Sequence, residues 1–218
     1  MSDFSLWDIY RNLLLALRWT VGLSAIAFIG GGLVGGVLLV LRLSGSRLAG
    51  QVVRCYVQLF QGTPLLLQLF LVYFGLALIG IDTSALFAAS LCMTLYASAY
   101  LTEIWRGSVE SIPRQQWEAA QSLALSFGEQ LRYIILPQAL RVAIAPSVGF
   151  LVQAIKNTAL ASVIGFVELT RSGQIIANAT FSPFLVYGSV ALLYFLLCFP
   201  LSLWSRRLEQ QLTRRHHE

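Results

Sequence analysis

Long apolar blocks alternate with short polar passages along this chain, and the blocks at 19–41, 56–79, 85–105, 142–163 and 185–204 stand out. About 20 apolar residues cover a hydrocarbon core as a helix. The pattern predicts an all-α fold, an integral membrane bundle of five transmembrane helices in a single domain spanning 1–218. The lead-in, residues 1–18, carries Asp3, Asp8 and Arg11 and reads as amphipathic. It lacks the basic start of a signal peptide, and the apolar block after it exceeds the roughly 7–15 residues of a signal core.

Several blocks contain features that a soluble helix avoids. The first holds Gly22, Gly30, Gly31, Gly32, Gly35 and Gly36. In lipid, small residues three or four apart let two helix backbones approach, so packing accounts for the run. A phosphate-binding loop would need a preceding strand and a neighbouring lysine, and neither is there. The second block is interrupted by Gly62-Thr63-Pro64. Threonine caps a helix and proline starts one, which predicts a break near the membrane surface. Gln58, Gln61 and Gln68 share a helical face expected to point into the bundle.

Composition and charge sharpen the picture. Hydrophobic residues make up 57% and charged residues 11% of the chain, against roughly 25% charged in soluble domains. The mean hydropathy is +0.72. A net charge of +5 would hint at nucleic acid in a soluble protein, but here orientation explains it. With the N-terminus outside, inner segments collect the arginines of 42–54, 106–141 and 206–215, whereas outer segments hold only Arg11, Arg18 and Arg171. The positive-inside bias then gives an outer N-terminus and a cytoplasmic C-terminus. Cys55, Cys92 and Cys198 are scattered without metal or redox spacing. His216 and His217 in the tail lack a third ligand, so no metal is expected.

The longest polar passage, 111–137, falls on the inner side between the third and fourth blocks. Pro113 opens a short helix there, because a missing N–H costs nothing in a first turn. Trp117, Ala120, Gln121 and Ala124 follow at spacings of three and four, with the helix end expected near Ala124 or Leu125. Ser126-Phe127-Gly128-Glu129 has the form of a capping box, so a second helix starts near Phe127. Pro137 is expected to bend or stop it.

Glu118-Ala119-Ala120, followed at matching intervals by Ile134, Leu136 and Pro137, resembles the EAA motif of permease subunits of binding-protein-dependent ABC importers. Ala124 stands where that family has glycine. A glycine suits a left-handed joint, in which alanine costs about 1–2 kcal/mol. QGTPLLLQ at 61–68, LPQALR at 136–141 and KNTALAS at 156–162 extend the resemblance over nearly the whole chain and narrow it to the polar amino-acid branch. Gln61, Gln115, Asn157 and Ala159 depart from the pattern, standing where arginine, glycine, aspartate and serine are usual.

This resemblance implies a type I ABC importer permease architecture in a bacterial inner membrane, with a cytoplasmic coupling helix and an outer loop at 165–184. It implies four partners: a dimer of ATP-binding subunits, a second permease subunit (identical or homologous), an extracytoplasmic substrate-binding protein and the lipid bilayer. Glu118 would be the electrostatic contact to the ATPase, and Ala119 and Ala120 small residues for close docking. Ala124, Ile134, Leu136 and Pro137 complete the coupling set. The implied cargo is a polar or charged amino acid, or a related small compound such as an opine. The chain itself needs no catalytic residue and no cofactor, since ATP and magnesium are bound by the partner ATPase.

Polar groups inside the apolar blocks are candidates for a translocation path. Lys156 is the only lysine, and a charge at that depth costs about 2.5–3.5 kcal/mol, so it should face a partner or a wet cavity. Lys156, Asn157 and Thr158 either line the path or its outer gate, or Lys156 is an anchor capping exposed carbonyls. Tyr96, Tyr100 and Glu103 share a face at i, i+4 and i+7. Glu103 either pairs with Arg106 or faces the path, where it would receive an ammonium or guanidinium. Gln68 is either a further path residue or an interhelical hydrogen-bonding group.

Two rival classes fit less well. An ion-coupled secondary transporter would show an internal repeat, and none is evident. A membrane-embedded enzyme would need a catalytic set in one layer, which a lone lysine and sparse acids do not supply. Lys156 is flanked by Ile155 and Asn157, where a nucleotide loop has glycine and serine or threonine. Energy must therefore come from another chain.

Overall fold

The computed structural model describes residues 5–215, with side chains through residue 212. His216 and His217 lie outside these residues. Among the described residues the structure is all-helical: α1 (Leu6–Leu43), α2 (Arg47–Gly62), α3 (Leu65–Leu78), α4 (Ala85–Glu110), α5 (Arg114–Ser122), α6 (Phe127–Glu129), α7 (Leu136–Asn157), α8 (Leu169–Thr180) and α9 (Pro183–Arg215). A π-helical turn, Gln130–Ile135, joins α6 to α7, and a 3₁₀ segment, Thr158–Ile164, prolongs α7.

The expected lead-in and first span are one helix. Ser5 caps α1 and Asp8 closes the box, and the helix runs on for 38 residues, about 57 Å. The glycines do not break it because they are packed. A Cβ added at Gly31 would lie 2.5 Å from that of Ala97, and one at Gly35 would lie 3.0 Å from the Ser98 carbonyl oxygen on α4. Thr102 Oγ1 sits 3.2 Å from the Gly35 carbonyl oxygen and 2.6 Å from that of Ser98. The two helices thus touch backbone to backbone, as small residues allow in lipid.

Among the described residues, four helical stretches are long and apolar enough to cross a membrane: Leu6–Leu43, Ala85–Glu110, Phe127–Ile164 and Pro183–Leu212. The pair α2 and α3 is bent by 102° at Gly62-Thr63-Pro64, and a fifth crossing requires that pair to be one span. The break falls where the sequence places it. Its geometry undoes the expected glutamine face, since helical spacing does not carry across a bend. Gln58 and Gln61 are exposed and only Gln68 is buried.

Pro137 neither stops nor sharply bends the chain, against expectation. It falls in the first turn of α7, where the preceding π-turn has already shifted the hydrogen-bond register and a missing N–H is tolerated. The fourth apolar helix therefore begins at Phe127 rather than 142. The 165–184 segment is also not an open loop. It contains α8, whose Leu169, Gly173, Ile176 and Ala177 are buried, and Gly173 lets α8 approach Val190 of α9 closely.

Candidate functional site

Three groups of residues carry the candidate chemistry, and the structure keeps them apart. The first is the polar elbow between α4 and α7. Proline at position 113 precedes α5, which buries only Ala120 and half-buries Trp117. Around them lies a small apolar hub of Val109, Ile112, Ile135 and Ala139, with Ile134 and Leu136 packed against it. Trp117 also stacks on Phe127 across the joint, with ring centroids 6.0 Å apart.

The joint is closed by local hydrogen bonds. Ala124 adopts φ +54°, the left-handed conformation that its place in the motif calls for. The Ala124 N–H donates to the Gln121 carbonyl at 2.8 Å and that of Leu125 to the Ala120 carbonyl at 3.4 Å, which together make a Schellman motif. Glu129 accepts from the Ser126 N–H at 2.9 Å and from its hydroxyl at 2.6 Å. These bonds, the hydroxyl's foremost, hold the Glu129 carboxyl below its ordinary value. Gln130, buried, donates to the Leu125 carbonyl at 2.6 Å. Nothing in its spacing marks Gln130 out beforehand; only the orphan carbonyl after a left-handed residue gives it a task.

One face of the elbow is left open. Glu118, Ala119, Gln121, Ser122 and Leu123 are all exposed, with Leu123 at 72%. Ala119 and Ala120 therefore part company. Ala119 belongs to the open face, whereas Ala120 is fully buried within its own chain. Pro137 is exposed on the side of α7.

The second group lies between α4 and α7. The Tyr96 and Tyr100 rings lie 4.6 Å apart, tilted by 36°, and Tyr100 stacks on Phe150 at 5.4 Å. Asn157 is bonded to Gln153 at 3.0 Å and reaches the Tyr96 hydroxyl. Glu103 shares their helix but not their surroundings. Arg42 of α1 meets it at 3.1 Å and Arg106 at 2.8 Å, and Arg106 also pairs with Glu110. Its carboxylate is occupied by arginines and ties α1 to α4. Gln68 is occupied through its amide nitrogen alone, its Oε1 being buried without a partner. Its amide donates to the Phe60 carbonyl at 2.9 Å and the Thr63 carbonyl at 3.1 Å, holding the α2–α3 bend from inside.

The third group centres on Glu168, which the sequence reading passed over as part of a loop. This carboxylate is fully buried. It caps α8 by accepting from the N–H groups of Thr170 and Arg171, both at 2.9 Å. It also accepts from Tyr194 of α9 at 2.9 Å and Thr20 of α1 at 3.4 Å. Thr20 in turn accepts from the Leu169 N–H at 3.1 Å. Thr158 is fully buried beside this cluster, its hydroxyl donating back to the Ile155 carbonyl at 2.7 Å. Lys156, two residues earlier, is exposed in a groove against α9 that shares Tyr194 with this cluster. The Lys156-Asn157-Thr158 triplet thus splits three ways: to a groove, to Tyr96 and to the Glu168 cluster. Among the described residues no group of His, Cys, Asp and Glu is placed to hold a metal.

Comparison with known proteins adds the following. Residues 31–214 match the model of the binding-protein-dependent transport system inner membrane component family. A probable amino-acid ABC transporter permease of Bacillus subtilis, YckA, is 33% identical over 94% of this chain and 95% of its own. The glutamine transport system permease GlnP of Escherichia coli is 33% identical over 95% and 96%. Among solved structures, an amino acid ABC transporter with histidines superposes with a TM-score of 0.90 at 30% identity, covering 97% of this chain and 99% of that one. An inward-facing methionine ABC transporter, MetNI, shares the fold with a TM-score of 0.70 at 22% identity.

Proposed function

Since the chain belongs to the family of binding-protein-dependent transport system inner membrane components, we propose that it is the permease of an amino-acid importer whose coupling surface is the open face of α5. The chain is the membrane component of an ABC transporter and not an enzyme; ATP hydrolysis resides in a partner. The cargo is a polar or charged amino acid or a related small compound, in keeping with relatives named for amino acids and glutamine.

The observation that carries the coupling assignment is the elbow itself. Its inner side is bolted to the hub by Trp117, with Ala120 buried, and its joint is locked by Ala124, while Glu118 and Leu123 stand free. A rigid helix with one charged and apolar face exposed at the base of a membrane bundle is suited to an ATPase groove. Glu118 makes the charged contact and Ala119 allows close approach. Ala120, Ala124, Ile134, Leu136 and Pro137 hold the helix in place. The assembly is two permeases on two ATP-binding subunits, which bind ATP and magnesium, with a substrate-binding protein docking outside on α8. The chain crosses the membrane five times, α2 and α3 forming one bent span, with the N-terminus out and the C-terminus in. Lys156, Asn157, Tyr96 and Tyr100 face the path; Glu103, Gln68 and Thr158 support it from positions already committed to protein partners.

Reconstitution with the ATPase and binding protein tests this reading. Glu118→Lys is expected to abolish stimulation of ATP hydrolysis by loaded binding protein while leaving the melting temperature unchanged. Stimulation at the level of the unaltered protein would refute the coupling role.

A further inference from the structure

A groove of about 500 Å³ runs between α7 and α9, lined by Lys156, Tyr194, Phe195, Cys198, Ser202 and Arg206 with a few apolar neighbours. Its charged groups are both cations. Lys156 is exposed, and among the described residues no acid pairs with it. The groove's hydroxyls are already spent: Tyr194 donates to Glu168 and Ser202 to the Cys198 carbonyl. The two helices run antiparallel, with Ser205 bonded to the Ala145 carbonyl at one level and Lys156 beside Cys198 at another. Lys156 is eleven residues along α7 from Ala145, about 16 Å, so Arg206, next to Ser205, lies at the far end of the groove from it. A lone ammonium over an apolar floor calls for an anion.

Neither carboxylate late in α4 is available, nor is the one that caps α8. Glu103 and Glu110 are bound to arginines, and Glu168 is sealed in the α8 cap. Resting on the amino-acid reading above, we propose that the α7–α9 groove is the subsite for the cargo's carboxylate, and that the cargo is a neutral or acidic amino acid rather than a cationic one. Charge complementarity carries the argument. A carboxylate gives Lys156 the counter-charge it lacks, by the charge-assisted hydrogen bonding that an ammonium favours. A lysine or arginine side chain would meet the Lys156 ammonium and no acid among the groove's lining residues. A lipid phosphate is the rival anion. It belongs at headgroup level, however, whereas Lys156 lies seven residues inside the nearer end of its apolar block, about 10 Å along the helix.

The test uses the permease–ATPase complex in nanodiscs of zwitterionic lipid, with radiolabelled glutamine as the probe. Glutamate is expected to compete, while glutaminamide and arginine compete about tenfold more weakly or worse, the scale of one lost charge-assisted bond. Lys156→Gln should erase the preference for a free carboxylate and Lys156→Arg should keep it. Arginine competing as well as glutamine, or discrimination surviving in Lys156→Gln, overturns the proposal. So does displacement of the probe by phosphatidylglycerol but not by glutamate, which would give the groove to lipid. ATPase stimulation by binding protein loaded with amino acid is the separate readout. Its absence would strike at the importer reading, whereas its presence beside indiscriminate binding would remove only the groove's role.

Discussion

The elbow at 113–137 and the layer around Glu168 solve one problem, the unpaired backbone groups at helix ends, but are held in place by opposite means. In the elbow each partner is close in sequence: Leu125 to Ala120, Ser126 to Glu129, Gln130 to Leu125. Around Glu168 the Thr170 and Arg171 N–H groups are capped as locally, but the carboxylate is itself held from afar, by Thr20 148 residues away and Tyr194 26 away. Local closure leaves a face uncovered, which a partner can use. Long-range closure consumes every polar group and clamps three helices together. The first is a device for being touched and the second for staying put.

Breaking the long-range clamp should have the largest effect. Glu168→Ala strands two α8 amides and the hydroxyls of Tyr194 and Thr20, and is expected to cost about 3 kcal/mol or more, since a bond to a buried charge is worth about 1.5–3. Thermal unfolding in detergent would measure it; an unchanged melting temperature would show that the clamp is not needed. Tyr194→Phe removes one arm only and is expected to cost about 1.5 kcal/mol by the same measurement.

Changes in the elbow should be smaller. Ala124→Gly relieves the left-handed alanine, with a gain of about 1 kcal/mol or less once the greater freedom of glycine in the unfolded chain is offset. A loss of stability would mean that the joint is not left-handed in the membrane. The smallest effect belongs to the Ser126–Glu129 box. The carboxyl's value is lowered in the folded state, so its contribution is present above the unfolded value and fades as pH falls through the folded one. Hydrogen-exchange protection at Phe127–Glu129, taken relative to the intrinsic rate at each pH, should fall on acidification, and Ser126→Ala should flatten that dependence.

The same contrast governs what was legible in the chain. The break at 62–64, the capping box at Ser126 and the joint at Ala124 rest on residues within a few positions of one another, and spacing alone reveals them. The close approach of α1 and α4 was signalled by glycines four apart, although their partners, Ala97 and Ser98, were not. Glu168 carried no such signal: an acid between two apolar blocks looks like loop until Thr20 and Tyr194 are brought to it. The continuity of helix through Pro137 was hidden for another reason. A proline reads as a stop only if the hydrogen-bond register before it is ordinary, and here the π-turn changes the register first. Glu103 was legible in part, since Arg106 lies three residues on, but Arg42 arrives only with the packing of α1.

That uninterrupted helix has a mechanical corollary. From Phe127 to Lys156 the chain is one rod of about 40 Å, with no slack segment to absorb motion at its foot. A tilt of one degree imposed at the base displaces the lysine by about 0.7 Å, on that helical rise. Small swings below the bilayer are therefore felt as ångström-scale shifts of a lone positive charge within it.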